Sequence, residues 1–275
     1  MIVDLTAFDY IIGRYLPETA KQMKFFSATI AIIFLLYFIA AFGLYLMQRK
    51  FIYYPSPVVS HSYVTEVIVV DDKIRLNLIA GNAGSSEAVI YFGGNAESVA
   101  RAAPDLIATL PDKAVYLVNY RGYGGSDGMP TELHLFKDAE IIFDFVSARH
   151  ARVSVIGRSL GSGVACWLAT QRPVDGMVLI TPYDSILNLA RKAYPVFPVG
   201  WLLKDQYRSI DYAPDIKTSV SVILAGRDSV IPAASSNRLI QAFSGEVNVS
   251  VLENSDHNNL QMDEEFYLLI QQYLL

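Results

Sequence analysis

From residue 64 onward the chain repeats one alternation. Short apolar runs of strand length, near 64–70, 74–80, 87–92, 114–119, 152–156, 176–181, 219–225 and 247–252, are separated by stretches whose apolar residues recur at helical spacing, near 96–109, 131–149, 160–171, 185–193, 234–243 and 263–273. The first runs follow one another like hairpin strands, and the later ones are each spaced by a helix. Parallel neighbours need a crossover segment and are covered on both sides. The pattern therefore predicts an α/β fold with a mostly parallel central sheet and helices on both faces. Polar residues just after the C-terminal ends of such strands are the first place to look for chemistry.

The pattern is different near the N-terminus. Residues 25–47 carry no charge and are rich in Leu, Ile and Phe. At 1.5 Å per residue they make a helix about 34 Å long, enough for a hydrocarbon core of about 30 Å. Lys21, Lys24, Arg49 and Lys50 bracket the run, and Tyr45, Phe51, Tyr53 and Tyr54 suit an interfacial aromatic belt. The run starts too late, is too long and lacks a clear small-residue cleavage site for a secretory signal. The expected organisation is a lead-in over 1–24, one transmembrane helix over 25–47 and an α/β catalytic domain over 48–275. Ile2, Leu5, Phe8, Ile12 and Tyr15 or Leu16 recur at helical spacing, so the lead-in either lies along the membrane surface or is disordered. Arg14, Lys21 and Lys24 precede the span and only Arg49 and Lys50 follow it, which leans toward a cytoplasmic N-terminus and a catalytic domain on the non-cytoplasmic side.

Composition narrows the function. A net charge of −5 without a basic run argues against nucleic acid as a partner. The 4 histidines are far apart and fit no zinc spacing, so neither a metal nor a cofactor is implied. The single cysteine, Cys166, cannot form an internal disulfide and reads as a small core residue.

The most informative segment is 153–163, where a β-rich run meets Gly157-Arg158-Ser159-Leu160-Gly161 and continues as an apolar helix. Glycines two residues either side of a serine permit the tight strand-to-helix turn of a nucleophile elbow, which lifts the hydroxyl out of the sheet. The Leu160 amide then lies at the helix start, where it can donate to an oxyanion. The same five-residue pattern recurs at Gly124-Gly125-Ser126-Asp127-Gly128, but Met129-Pro130 follows it, so Ser126 reads as a polar loop residue.

Two more strand ends complete a catalytic set. Asp228 follows the run 219–225 through Gly226-Arg227, and His257 follows the run 247–252. A serine hydroxyl needs a base to attack a carbonyl, imidazole suits that task, and a carboxylate fixes the imidazole tautomer. The order Ser, Asp, His fits this kind of sheet. Asp184 is the rival acid, although it reads more simply as a turn or cap residue; Asp256 reads as a loop residue. In Phe92-Gly93-Gly94-Asn95-Ala96-Glu97, two glycines let the backbone approach a bound carbonyl, and the Asn95 amide is the second candidate oxyanion donor.

These residues resemble the α/β-hydrolase superfamily, and more narrowly its membrane-anchored Bem46-type branch, similar to the mammalian α/β-hydrolase domain-containing proteins numbered 12, 13 and 17 and to serine aminopeptidases of the S33 kind. The resemblance covers about residues 47–275. It rests on Gln48-Arg49-Lys50-Phe51-Ile52-Tyr53-Tyr54-Pro55, Gly94-Asn95-Ala96, Asn119-Tyr120-Arg121-Gly122-Tyr123-Gly124, the Ser159 elbow, Gly226-Arg227-Asp228-Ser229-Val230-Ile231-Pro232 and His257. It implies Ser159 as nucleophile, Asp228 as acid, His257 as base, and oxyanion amides at Asn95 and Leu160. Gly93 stands where the family usually has histidine, which leaves the support of that loop open. The implied activity is hydrolysis of an ester or thioester through an acyl-enzyme, on a small-molecule or lipid acyl substrate or an acylated protein at the bilayer. An aminopeptidase-like amide hydrolase and a silent membrane scaffold or sensor stay open beside it. Between strands, Tyr194, Phe197, Trp201 and Leu202 either line an acyl pocket or pack at the surface.

Overall fold

The computed structural model describes the backbone of residues 5–71 and 73–275, with side chains from Glu18 onward, Asp72 apart. The chain divides into two compact units, Met1–Gln48 and Arg49–Leu275. Helix α1 (Leu5–Ile52) forms the first unit, and its last residues belong to the second. Its segment Glu18–Ile52 contains an 18-residue stretch with a mean hydropathy of 2.5 and is long and apolar enough to cross a membrane. Phe25, Phe26, Phe34, Phe38 and Phe42 are all exposed. The spacing of Ile2, Leu5, Phe8, Ile12 and Tyr15 or Leu16 concerns side chains outside the described residues.

The second unit is built on an 8-stranded sheet in the order β1-β2-β4-β3-β5-β6-β7-β8. The strands are β1 (Val64–Val70), β2 (Ile74–Gly81), β3 (Glu87–Phe92), β4 (Lys113–Val118), β5 (Arg152–Arg158), β6 (Gly176–Ile180), β7 (Ser219–Ala225) and β8 (Val247–Leu252). β2 pairs antiparallel with β1 and β4, and every pairing from β4 through β8 is parallel. The helices after α1 are α2 (Val99–Thr109), α3 (Glu132–Ser147), α4 (Leu160–Gln171), α5 (Ile186–Ala193), α6 (Val199–Leu202), α7 (Ser209–Tyr212), α8 (Ala233–Ala242) and α9 (Glu264–Leu274).

The two-residue pleat of the central strands explains why they read as unbroken apolar runs. Ala88, Ile90 and Phe92 of β3 face a core shared with α3, α4 and α8, whereas Val89 and Tyr91 face a second core shared with α2 and α9. Burying one such valine or isoleucine contributes about 2 kcal/mol, so both faces help fix the register.

Most predicted elements stand within two residues of their expected bounds. The exception is the helix expected from residue 96, which begins at Val99. Ala96 has a φ of 60° and the Glu97 amide donates back to the Gly94 carbonyl at 3.3 Å, so residues 94–97 form a turn where the apolar pattern suggested helix. α6 and α7 are single turns, too short to show a period.

Candidate active site

The sharpest backbone feature lies between β5 and α4. Ser159 has φ 48° and ψ −114°, a conformation that costs a side-chain-bearing residue on the order of 1–3 kcal/mol. Its amide donates to the Ile180 carbonyl at 2.9 Å, and its carbonyl accepts from Ser162 Oγ at 2.6 Å, so strand and helix over-determine the turn. Both flanking glycines are required by close approach. A Cβ on Gly161 would stand 2.0 Å from the Phe92 carbonyl oxygen, and one on Gly157 would stand 2.6 Å from the Gly161 carbonyl oxygen. The helix therefore starts directly against the end of β3.

The three residues singled out at strand ends meet there. Ser159 Oγ lies 2.9 Å from His257 Nε2, and His257 Nδ1 lies 2.8 Å from Asp228 Oδ2. The other Asp228 oxygen accepts from the amides of Val230 at 2.8 Å and Ile231 at 2.7 Å. Burial pushes the Asp228 carboxyl up, but the hydrogen bond from His257 and those from Ile231 and Val230 outweigh it and hold the group below the ordinary aspartate value. The geometry gives the imidazole a fixed anionic partner on one nitrogen and a hydroxyl on the other.

The loop 93–97 lies beside the serine, since a side chain on Gly94 would come within 3.6 Å of Ser159 Cβ. Among the described residues, neither the Asn95 amide nor the Leu160 amide has a hydrogen-bond partner. Both are the amides expected to face an oxyanion.

With Gly93 in place of a histidine, the loop is held by groups that lie far apart in sequence. The Glu97 carboxylate accepts from the Gly94 amide at 2.6 Å and from Tyr91 Oη at 2.7 Å. Arg158 Nη1 stands 3.7 Å from Glu97, and its Nη2 donates to the His257 carbonyl at 3.3 Å. Tyr120 Oη donates to the Gly93 carbonyl at 2.9 Å. Asn95 Oδ1 accepts from the Tyr54 amide at 2.9 Å and from Tyr123 Oη at 2.8 Å. The segment 119–124 thus serves as a brace: its tyrosines hold the loop, while Arg121 makes a buried two-point ion pair with Asp138, at 2.7 and 2.6 Å. Glu97, Arg158 and Tyr91 escaped the sequence reading. For Glu97 and Arg158 the signal was a charged residue within or at the end of a motif; Tyr91 gave none. A cavity of about 450 Å³ opens behind them, lined by Tyr91, Glu97, Arg101, Arg158, Gln261 and Tyr267 among others.

The remaining candidates fall elsewhere. Ser126 is buried, donates to the Asn119 carbonyl at 2.8 Å and accepts from the Asn77 amide at 2.9 Å, which fits a loop residue. Asp184 is fully buried and makes no contact with His257; it accepts from Ser235 Oγ, Arg238 Nε, Asn188 Nδ2 and the Ser185 amide, so it ties α5 to α8. Asp256 accepts from the Asn258 amide within its loop. Cys166 is buried in the core, and burial pushes its thiol up to about 12. Trp201 and Tyr194 are exposed, so these two line no enclosed acyl pocket.

This combination of elbow, parallel sheet and converging strand ends defines a hydrolase fold of the α/β type. No family model matches the chain. It is 34% identical over 230 residues to the uncharacterized protein Rv2307c of Mycobacterium tuberculosis, covering 78% of this chain and 82% of that one. It is 23% identical over 201 residues to the α/β hydrolase domain-containing protein 17C of Xenopus tropicalis, covering 70% and 62%. Among solved structures, the esterase Pf2001 of Pyrococcus furiosus superposes with a TM-score of 0.63 at 19% identity, covering 80% of this chain and 95% of that one. The chain belongs to the α/β-hydrolase superfamily, and its likeness to the α/β hydrolase domain-containing proteins fits the Bem46-type branch.

Proposed function

We propose that residues 48–275 are a serine hydrolase tethered to a membrane by residues 25–47, and that it cleaves a carboxylic ester or thioester with an apolar acyl chain. The observation that carries this reading is the continuous relay from Ser159 Oγ through the two His257 nitrogens to Asp228, at 2.9 and 2.8 Å.

With Nδ1–H donated to Asp228, His257 offers the Nε2 lone pair to the serine hydroxyl. Oγ attacks the carbonyl carbon as its proton passes to Nε2, and the carbonyl π pair moves onto oxygen. The unpaired amides of Asn95 and Leu160 donate to that oxyanion; one such donor is generally worth about 3 to 4 kcal/mol in the transition state. Collapse breaks the bond to the leaving alcohol or thiol, which takes the proton from Nε2 and leaves an acyl-serine. Water then attacks with His257 as base again, and the acid departs as Ser159 regains its proton.

The preference for an apolar acyl chain follows from location, because a site tethered at a bilayer meets lipid esters and acylated chains at high effective concentration. The excess of positive charge before the span favours the non-cytoplasmic side for the catalytic unit. Two measurements test this. Across a series of p-nitrophenyl esters, kcat/KM is expected to rise with acyl length. Preference for acetate throughout contradicts the acyl assignment, and no turnover on esters or thioesters contradicts the hydrolase. Protease added outside intact cells is expected to digest residues 48–275, and protection reverses the orientation.

A further inference from the structure

The cavity of about 450 Å³ behind the 93–97 loop falls within the range of roughly 300 to 1,000 Å³ usual for small-molecule sites. Its wall includes none of Ser159, His257, Asn95 and Leu160, so an occupant meets the neighbours of the serine and not the serine itself. Two guanidinium groups line it. Arg101 makes no side-chain hydrogen bond or ion pair among the described residues. Arg158, with its side chain 14% exposed, reaches Glu97 at 3.7 Å, the His257 carbonyl at 3.3 Å and Gln261 Oε1 at 3.4 Å. All three are longer than the roughly 2.7 to 2.9 Å of a well-formed charge-assisted bond, so this largely buried cation is under-satisfied.

The rest of the wall points the same way. Ser98, Arg101 and Ala102 bring the first turn of α2 to the cavity; Ser98 makes no capping hydrogen bond and the turn carries no acid, so its partial positive charge is uncompensated from within the helix. Ser56 also lines the cavity, is 7% exposed, and its Oγ has no hydrogen-bond partner. The two acids on the wall are already engaged. Glu97 holds the Gly94 amide and Tyr91 Oη, and Asp105 accepts from Tyr267 Oη at 3.2 Å. With two guanidinium groups against two carboxylates, a dianionic phosphate gains little, whereas one carboxylate can pair with the unpartnered Arg101. Leu106 and Phe266, both buried, supply an apolar side for the body that carries it.

We propose that this cavity is an effector site for a small organic monoanion, a carboxylate on an apolar or aromatic body, with the carboxylate on Arg101 and Arg158 and the body against Leu106 and Phe266. Arg158 couples the cavity to the chemistry. It immediately precedes Ser159 and reaches both Glu97, which holds the Gly94 amide, and the His257 carbonyl. A carboxylate that draws the guanidinium away from these two loosens the loop beside the Asn95 amide and the support of the base together. Binding therefore slows turnover without occupying the acyl site. This consequence rests on the serine-hydrolase reading, whereas the binding itself does not.

The full chain in dodecyl maltoside is titrated calorimetrically with 4-phenylbutyrate and with its uncharged analogue 4-phenylbutanamide, each corrected for titration into empty micelles. The acid is expected to fill one saturable site. Affinity is expected to fall about tenfold or more for the amide, and as much for the acid on Arg101→Gln, the loss usual for a hydrogen bond to a charged group. Arg101 is exposed, so its replacement is expected to leave fold and basal turnover unchanged. Ala102→Phe, which adds a ring to the cavity wall and keeps every charge, is expected to abolish binding. No saturable binding of the acid, equal affinity for acid and amide, or undiminished binding to either variant overturns the site. On p-nitrophenyl butyrate, the acid is expected to lower kcat and leave KM unchanged, an effect lost in Arg101→Gln. A purely competitive pattern places the probe at the acyl site and overturns the effector role. Wild type without turnover contradicts the hydrolase reading, while the calorimetric comparison still decides the cavity.

Discussion

The Glu97 carboxylate accepts the Gly94 amide at 2.6 Å, one residue from the Asn95 amide that has no partner. This bond sets the direction of the 93–97 loop, and Arg158 and Tyr91 fix the carboxylate in turn. Glu97→Ala is expected to lower kcat about tenfold to hundredfold with little change in KM, since misplacing a donor affects the transition state more than the bound ester. Glu97→Gln, which keeps an acceptor for Gly94, is expected to recover most of that loss. Steady-state kinetics on one ester check both; a change confined to KM contradicts the positioning role.

The strained backbone at Ser159 predicts a trade between stability and activity. Glycine tolerates φ 48°, so Ser159→Gly is expected to raise unfolding stability by about 1 kcal/mol while abolishing turnover. Chemical denaturation measures it. A variant no more stable than wild type means that the turn carries no such strain.

Asp184 makes acid sensitivity predictable. Burial pushes its carboxyl up, but hydrogen bonds from Ser235, Arg238, Asn188 and Ser185 outweigh burial and hold it below its ordinary value. The folded chain thus binds this proton less readily than the unfolded chain, whose aspartate titrates near about 3.9. The group's contribution is present in full above that pH and is lost as pH falls through the folded value. Asp228 acts with the same sign. Asp184→Asn is expected to be less stable at neutral pH and to show a shallower acid limb; equal acid slopes in wild type and variant contradict the assignment.

Burial also makes Cys166 inert, because its thiol is pushed up to about 12 and lies fully within the core. Iodoacetamide at pH 8 is expected to leave the folded chain unmodified and active, and to alkylate it only in denaturant. Inactivation under native conditions, traced to Cys166, contradicts that burial.

How far the sequence could be read depended on how local each signal was. The unbroken apolar runs of β3 to β7 announced a sheet covered on both sides, and the elbow was legible because Gly157, Ser159 and Gly161 lie within five residues. Ser159, Asp228 and His257 could be singled out because each lies within five residues of the end of a strand. The loop brace was not legible. It joins Tyr54, Tyr91, Glu97, Tyr120, Tyr123 and Arg158 through contacts that only the fold creates, and a tyrosine in a strand reads as core whether or not its hydroxyl has a task. The start of α2 was misplaced because the apolar period continued through residues whose hydrogen bonds form a turn. Trp201 was assigned to a pocket or the surface on hydrophobicity alone, which carries no information about direction.

The most direct test of the central claim is labelling of the full chain with a fluorophosphonate probe, which phosphonylates only an activated serine. Wild type, Ser159→Ala, Asp228→Asn and Ser126→Ala are compared, each verified as folded. Ser126→Ala loses a buried hydroxyl that bridges Asn77 and Asn119, so about 1 to 2 kcal/mol of stability is expected to go with it while labelling is kept. The account predicts labelling of wild type and Ser126→Ala, its abolition in Ser159→Ala, and labelling slowed by orders of magnitude in Asp228→Asn. Undiminished labelling of Ser159→Ala, or none of the folded wild type, contradicts it.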